Sequence, residues 1–180
     1  MKKFELTSET KINIFGKKLF RIKALISFGD VEAGETGGWV EKEGNVNQSG
    51  DAWVSGDAEV SGDARVFGNA MVSGNAMVSG NARVFGDAEV SGNAEVSGDA
   101  RVFGDARVSG NADYTTIHGF GTQFRTTTFF RCKDKKVRVA CGCFFGTIPE
   151  FREQVKNTRK GKIAEEYLMI ADLMEKHFEK

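Results

Sequence analysis

Gly62-Asp63-Ala64-Arg65-Val66-Phe67-Gly68-Asn69-Ala70-Met71-Val72-Ser73 holds two copies of one unit, and the way this unit repeats decides the fold. Between Gly50 and Tyr114 it reads Gly-(Asp/Asn)-Ala-x-Val-(Ser/Phe), and glycine stands at every sixth position from Gly38 to Gly110. Gly followed by Asp or Asn is turn chemistry, because both tolerate left-handed backbone angles and the Asx side chain can bond nearby amides. The x-Val-(Ser/Phe) triplet that follows predicts a short strand, with Val pointing inward and its two neighbours outward. One such unit cannot bury its own Val, whereas stacked units build a continuous narrow core.

A second period overlies the first. Phe replaces Ser only at Phe67, Phe85 and Phe103, and Arg fills the x position of the same hexads at Arg65, Arg83 and Arg101. The spacing of eighteen residues predicts three hexads per turn, a triangular cross-section, and like residues stacked at about 4.8 Å along the coil. One face then carries an Arg ladder beside a Phe ladder. A second carries Trp53, Met71, Glu89 and Arg107, and the third Glu59, Met77 and Glu95.

Composition agrees with this reading. The 180 residues include 22 Gly and a single Pro, Pro149, a balance hostile to long helices because interior Gly costs about 1 kcal/mol relative to Ala. Collagen would need Gly at every third position, and a disordered linker would lack the 40% apolar content. The N-terminal stretch, Met1 to Phe20, mixes charges among its apolar residues, and three clustered cysteines are too few for a disulfide framework. The expectation is a soluble protein of a reducing cytoplasm, with no membrane contact.

The Val-Ser-Gly-Asp-Ala-Arg register resembles the hexapeptide repeat of left-handed parallel β-helix proteins, and the resemblance supplies the hand. The expected architecture is a mainly β chain: a hexapeptide solenoid of about four coils over residues 38–115, an N-terminal hairpin cap over 1–37 and a C-terminal α+β module over 116–180. Lys11 to Phe15 and Leu19 to Phe28 read as the cap's strands around Gly16-Lys17. Arg125 to Lys133 and Lys136 to Phe145 read as a second hairpin around Asp134-Lys135. Thr147 with Glu150 forms a capping box that opens a helix to about Thr158, and Gly161 interrupts before a final amphipathic helix. The lead-in Phe28-Gly29-Asp30-Val31, continuing through Gly38-Trp39-Val40-Glu41, is similar to uncharacterised bacterial and prophage hexapeptide proteins. The ββαα tail, with Cys141-Gly142-Cys143-Phe144-Phe145-Gly146-Thr147, resembles modules of small phage proteins, which implies a phage or prophage origin.

Net charge is zero from 25 basic and 25 acidic side chains, but the signs separate. Residues 50–113 hold 4 Lys or Arg against 10 Asp or Glu, and residues 114–180 hold 13 against 8. The basic head is Arg125, Arg131, Lys133, Lys135, Lys136 and Arg138, the only place where nucleic acid could be engaged.

Chemistry is sparse. Hexapeptide acyltransferases use a general-base His, which the resemblance would place only at His118, beyond the coils. Cys132, Cys141 and Cys143 form a weak zinc pattern; with the turn at Asp134-Lys135, Cys132 pairs with Val137 and Cys141 with Thr128, so all three thiols share one face. The corner Asp/Asn ladders lack the nonapeptide of calcium β-rolls and read as turns. No cofactor is expected. An outward Phe stripe, by contrast, marks an interface. The leading expectation is therefore a non-enzymatic binding protein using Arg65, Phe67, Arg83, Phe85, Arg101 and Phe103, with an anti-defence role such as capture of a host immunity protein or a signalling molecule. An acyl-CoA-dependent transferase and a structural homo-oligomer are the alternatives.

Overall fold

The computed structural model describes residues 2–179, which divide into two compact units on either side of Asn111 and Ala112. In the first unit, β1 (Phe4–Ile12) and β2 (Lys18–Ala24) form an antiparallel hairpin, and β3 (Thr36–Val40) pairs with β2. Then come the two-residue strands of the repeat: β4 (Trp53–Val54), β5 (Glu59–Val60), β6 (Arg65–Val66), β7 (Met71–Val72), β8 (Met77–Val78), β9 (Arg83–Val84), β10 (Glu89–Val90), β11 (Glu95–Val96), β12 (Arg101–Val102) and β13 (Arg107–Val108).

These strands stack in parallel as three sheets, β4-β7-β10-β13, β3-β5-β8-β11 and β6-β9-β12. From β4 onward each residue pairs with the one eighteen positions on, as in Arg65↔Arg83 and Glu59↔Met77. This is a parallel β-solenoid of about four coils. The Val and Ala of every hexad from Ala52 to Val108 are fully buried, and each buried Val contributes about 1.5–3 kcal/mol of apolar burial. Each coil hands its amide hydrogens to the next, as in Arg65 N to Ala82 O at 2.9 Å and Asp63 N to Gly80 O at 2.8 Å. The corners add a side-chain ladder. Asn69 Nδ2 donates to Asp87 at 3.0 Å and Asn81 Nδ2 to Asp99 at 3.0 Å, so each of these amides stands between two carboxylates of its column.

The glycine lattice is shorter in space than in sequence. Corner glycines from Gly50 to Gly104 hold φ between +61° and +74°, whereas Gly38, Gly44 and Gly110 do not adopt the left-handed region. At the N-terminal end the chain has slipped phase. Val40 pairs with Val60 and Val46 with Val66, twenty residues apart instead of eighteen, because the hairpin and not a preceding coil sets the register there. Gly38 is needed for a different reason: a Cβ would lie 2.7 Å from the Ala58 carbonyl.

The N-terminal hairpin continues one sheet of the solenoid in the order β1-β2-β3-β5. Its first strand begins at Phe4, earlier than the expected Lys11, and its second ends at Ala24, short of Phe28. Trp53, expected on an outer face, is fully buried, with Phe4 at 6.1 Å and Phe28 at 5.4 Å edge-on to its ring. The open end of the rod is closed by side chains that imitate a missing coil. Asn45 Nδ2 donates to Gly62 O and Ala64 O at 3.1 and 2.9 Å, and Lys3 Nζ donates to Gly50 O and Ala52 O at 3.1 and 2.7 Å. Corner carbonyls that would otherwise be orphaned are thereby satisfied.

Burial lowers the Lys3 pKa from 10.5 to about 8, against an opposing pull from Asp51. Below pH 8 both folded and unfolded chains hold the proton and the full cost of burying the ammonium is carried. Between about 8 and 10.5 the unfolded chain binds it more tightly, so the Lys3 contribution to stability rises with pH. The expected result is a Lys3 side-chain carbon signal titrating near 8 by NMR, absent in Lys3→Met. A midpoint at the ordinary lysine value would overturn this.

The second unit is an antiparallel sheet of β14 (Tyr114–Phe120), β15 (Arg125–Arg131), β16 (Val137–Cys141) and β17 (Phe144–Thr147), followed by α1 (Ile148–Thr158) and α2 (Gly161–Phe178). Two strands thus join the expected hairpin, which itself ends at Cys141. The capping box is present, with Thr147 N donating to Glu150 Oε2 at 2.7 Å. Gly161, φ +58°, is the first residue of α2. Tyr167, Ile170, Ala171, Met174 and Phe178 bury one face of α2 with Phe151, Val155, Phe129 and Val139.

The hairpin register differs from expectation by one residue: Thr127 pairs with Cys141 and Arg131 with Val137. A slip of one moves side chains to the opposite face. Phe129, directly opposite Val139, is the residue that shares with Cys141 the face carrying α1 and α2, while Cys132 lies in the turn, where its N–H donates to Lys136 O at 3.0 Å.

Candidate interaction surface

On the β6-β9-β12 face the three Phe rings stack with centroids 4.7 Å apart and interplanar angles of 4° and 5°. Parallel pairing in register puts each ring directly over the next. The rings are half-buried and Arg65, Arg83 and Arg101 are exposed. Arg and Phe two positions apart on one strand point the same way, roughly 7 Å from each other. The result is a cationic rail beside an aromatic rail, both with the 4.7 Å rise of the coil. On the other side of the Arg row runs the Asp63-Asn81-Asp99 corner. Lys42 Nζ, 2.7 Å from Asp63, holds that carboxyl below the usual range, with a further small pull from Arg65.

The neighbouring face differs. Arg107 directs Nε and Nη2 onto Glu89 Oε2 at 3.0 and 2.6 Å, so its charge is already matched.

The six cations of the basic head do not converge. Arg131 Nε lies 3.3 Å from Asp113, its Nη2 donates to Phe178 O at 2.7 Å, and its guanidinium covers the Phe178 ring at 5.3 Å. Arg138 pairs with Asp134 at 2.8 Å. Lys133, Lys135 and Lys136 are exposed in the β15–β16 turn. Arg125 sits at the other end of β15, about 20 Å from Arg131 at 3.3 Å per residue. A phosphate backbone would meet separated cations here, not a continuous track.

His118, on β14, is exposed and has Nδ1 3.1 Å from Thr126 Oγ1. Thr127, on the opposite face of β15 from Thr126, donates to Cys141 Sγ at 3.2 Å. The imidazole and this thiol therefore face away from each other across the sheet. The three cysteines are likewise apart: Cys132 is buried in its turn, Cys141 half-buried under the helices, Cys143 exposed. Among the described residues no group of three His, Cys, Asp or Glu is placed to share a metal. A small cavity of about 100 Å³ lies beside Cys141, lined also by Arg125, Phe144, Arg159 and Tyr167. Burial raises the Tyr167 pKa, with Cys141 adding to the shift, and its hydroxyl donates to Phe120 O at 3.2 Å.

One feature of the face is missed by the repeat alone. Next to Phe67 lies a groove of about 410 Å³ whose walls include Asn47 and Gln48. Its signal is in the chain nonetheless, since Asn47 and Ser49 stand where the eighteen-residue period would place Arg and Phe.

Stacked two-residue strands, inward Val and Ala, and corner glycines define a β-solenoid repeat protein. A family model described as the YdcK beta solenoid repeat matches residues 58–74, 64–79 and 70–86. The matches start six residues apart, the period of the coil corners, and lie within the central coils. No curated protein matched the chain. No described helix is long and apolar enough to cross a membrane.

Proposed function

We propose that this β-solenoid is a non-enzymatic binding protein that docks a protein partner on the Arg/Phe face. The observation that carries the reading is the Phe67-Phe85-Phe103 stack outside the core, beside three exposed guanidinium groups. The core of the rod is its Val and Ala interior, and the aromatic rail lies outside it. Arg and aromatic side chains are the residue types that dominate binding energy at interfaces. The matching partner is acidic, with an apolar strip to cover the rings. The similarity of the lead-in and tail to phage and prophage proteins supports a partner in a bacterial host cell, and within that class a host defence protein.

The test is comparative capture from bacterial lysate using the wild-type chain, Phe85→Asp, Arg83→Glu and, on another face, Met77→Asp. A protein retained by wild type and Met77→Asp but lost by both stripe variants supports the reading. The same captured set for all four, or none above background, overturns it. Light scattering on the same samples separates a homo-oligomer, since Phe85→Asp would then change the mass of the purified chain. The transferase reading requires saturable acetyl-CoA binding that is lost in His118→Ala.

A further inference from the structure

The Arg/Phe rails end abruptly at their N-terminal rung, and the ending has a shape. Phe67 is the terminal ring of the stack, since the residue in register above it is Asn47 and not a further Phe. Val46, and not Gln48, bridges Val66, and Asn47 N donates to Val66 O at 2.9 Å, so Asn47 holds the rung over Phe67; its Oδ1 is turned back to Ser49, and a space is left beside the ring. This space is the groove of about 410 Å³. Its apolar surface is the half-buried Phe67 ring, backed by the buried Val46 and Val66, and Arg65 and Asn47 stand beside it. The volume is within the range of small-molecule sites, roughly 300–1,000 Å³.

The polar groups around the floor are unequally committed. Gln48 Oε1 accepts from the Lys3 and Phe4 amides at 2.8 and 3.2 Å, and its Nε2 donates to Phe4 O and to Glu43. Glu43 is also paired with Lys2 Nζ at 2.8 Å, which holds its carboxyl below the usual range. Asn47 Oδ1 is occupied by the Ser49 amide and hydroxyl, both at 3.1 Å. Among the described residues the exposed Arg65 guanidinium and the Asn47 amide nitrogen form no hydrogen bond, and both are donors. A ligand that satisfies them supplies acceptors, and a ligand that satisfies the floor supplies a flat apolar face. Arg pairs carboxylate or phosphate with two parallel bonds, and a ring laid on Phe67 extends a stack that already runs through Phe85 and Phe103.

We propose that this groove binds a small aromatic anion, its ring continuing the stack on Phe67 and its carboxylate or phosphate held by Arg65. The site goes beyond the docking of a protein on the rails and stands independently of it, since its distinctive walls, Val46 and Asn47, precede the repeated coils.

The test is calorimetric titration of the full chain with adenosine monophosphate and with phenylacetate, beside inorganic phosphate and benzamide as controls that carry only the charge or only the ring. Saturable binding of at least one aromatic anion, roughly tenfold or more tighter than either control, is expected. The preferred probe tells phosphate from carboxylate as the ligand's anionic group. Arg65→Gln and Phe67→Leu are each expected to weaken binding about tenfold or more, while Arg101→Gln and Phe103→Leu, at the far end of the same rails, leave it unchanged. Thermal unfolding of each variant confirms that the coil is intact. Failure of both aromatic anions to saturate, or binding indifferent to Arg65→Gln, overturns the site. Neither result bears on the capture experiment, in which Phe85 and Arg83 are altered and the groove is left whole.

Discussion

Replacing Gly80 by alanine is expected to destabilise the solenoid by about 2–5 kcal/mol, the sum of a left-handed backbone penalty and an overpacking penalty. Gly80 holds φ +67°, and a Cβ there would stand 2.9 Å from the Gly98 amide nitrogen of the next coil. Neither the backbone angle nor the contact can relax alone, because Asp63 N donates to Gly80 O at 2.8 Å and Asn81 N to Gly98 O at 2.9 Å on either side. Gly16 is the natural control. Its φ is +73°, but nothing lies within 4 Å of its would-be Cβ, so Gly16→Ala should cost only the backbone penalty, about 1–2 kcal/mol. Urea unfolding followed by tryptophan fluorescence reads both, since Trp39 and Trp53 belong to the first unit. Equal midpoints for the two variants would show that the close stacking of corners contributes nothing. In a quasi-one-dimensional stack each coil is stabilised by its neighbours, so a defect at a central corner weakens the coils on both sides of it.

The second unit has a single point of greatest leverage. Phe151→Ala is expected to cost about 3–5 kcal/mol, the range for emptying a buried aromatic site. Its ring is edge-on to Phe129 at 6.3 Å and to Tyr167 at 5.8 Å, and tilted against Phe144 at 5.5 Å, so it joins β15, β17, α1 and α2. The two α-helices lie in this unit, and ellipticity at the helical minimum therefore reports its unfolding. A loss under about 1 kcal/mol would mean that the sheet and helices close around the gap.

These two residues differ in how visible they are before folding. Gly80 is one of many copies, and its role can be read from any of them. Phe151 is one of 15 phenylalanines, and only the packing of four separated elements singles it out. The candidate surface divides in the same way. Arg65, Arg83, Arg101 and the three stacked Phe are legible because their period is the period of the coil. The basic head is not: Arg131 and Arg138, grouped with the lysines by their position in the chain, are turned to Asp113, Phe178 and Asp134 by contacts within the folded unit. The groove above Phe67 lies between these cases. Its missing Arg and Phe can be read from the period, but its floor depends on the two-residue slip that brings Val46 over Val66.

By itself the amino-acid sequence determined the triangular coil, the inward Val and Ala, and the three faces with their ladders. It could do so because, in a lattice of identical steps, the neighbours of each residue are its own equivalents eighteen positions away, so local pattern and tertiary contact are the same information. Where the repeat stops, this identity is lost. Only the tertiary structure decided that Trp53 is covered by Phe4 and Phe28, that Lys3 and Asn45 close the open carbonyls, and that the β15–β16 register sends Phe129 under the helices and leaves Cys132 in the turn. Each of these is a contact between unlike segments, and the register among them is chosen by which packing buries the most apolar surface with its polar groups satisfied, a property of the assembled unit and not of any one stretch.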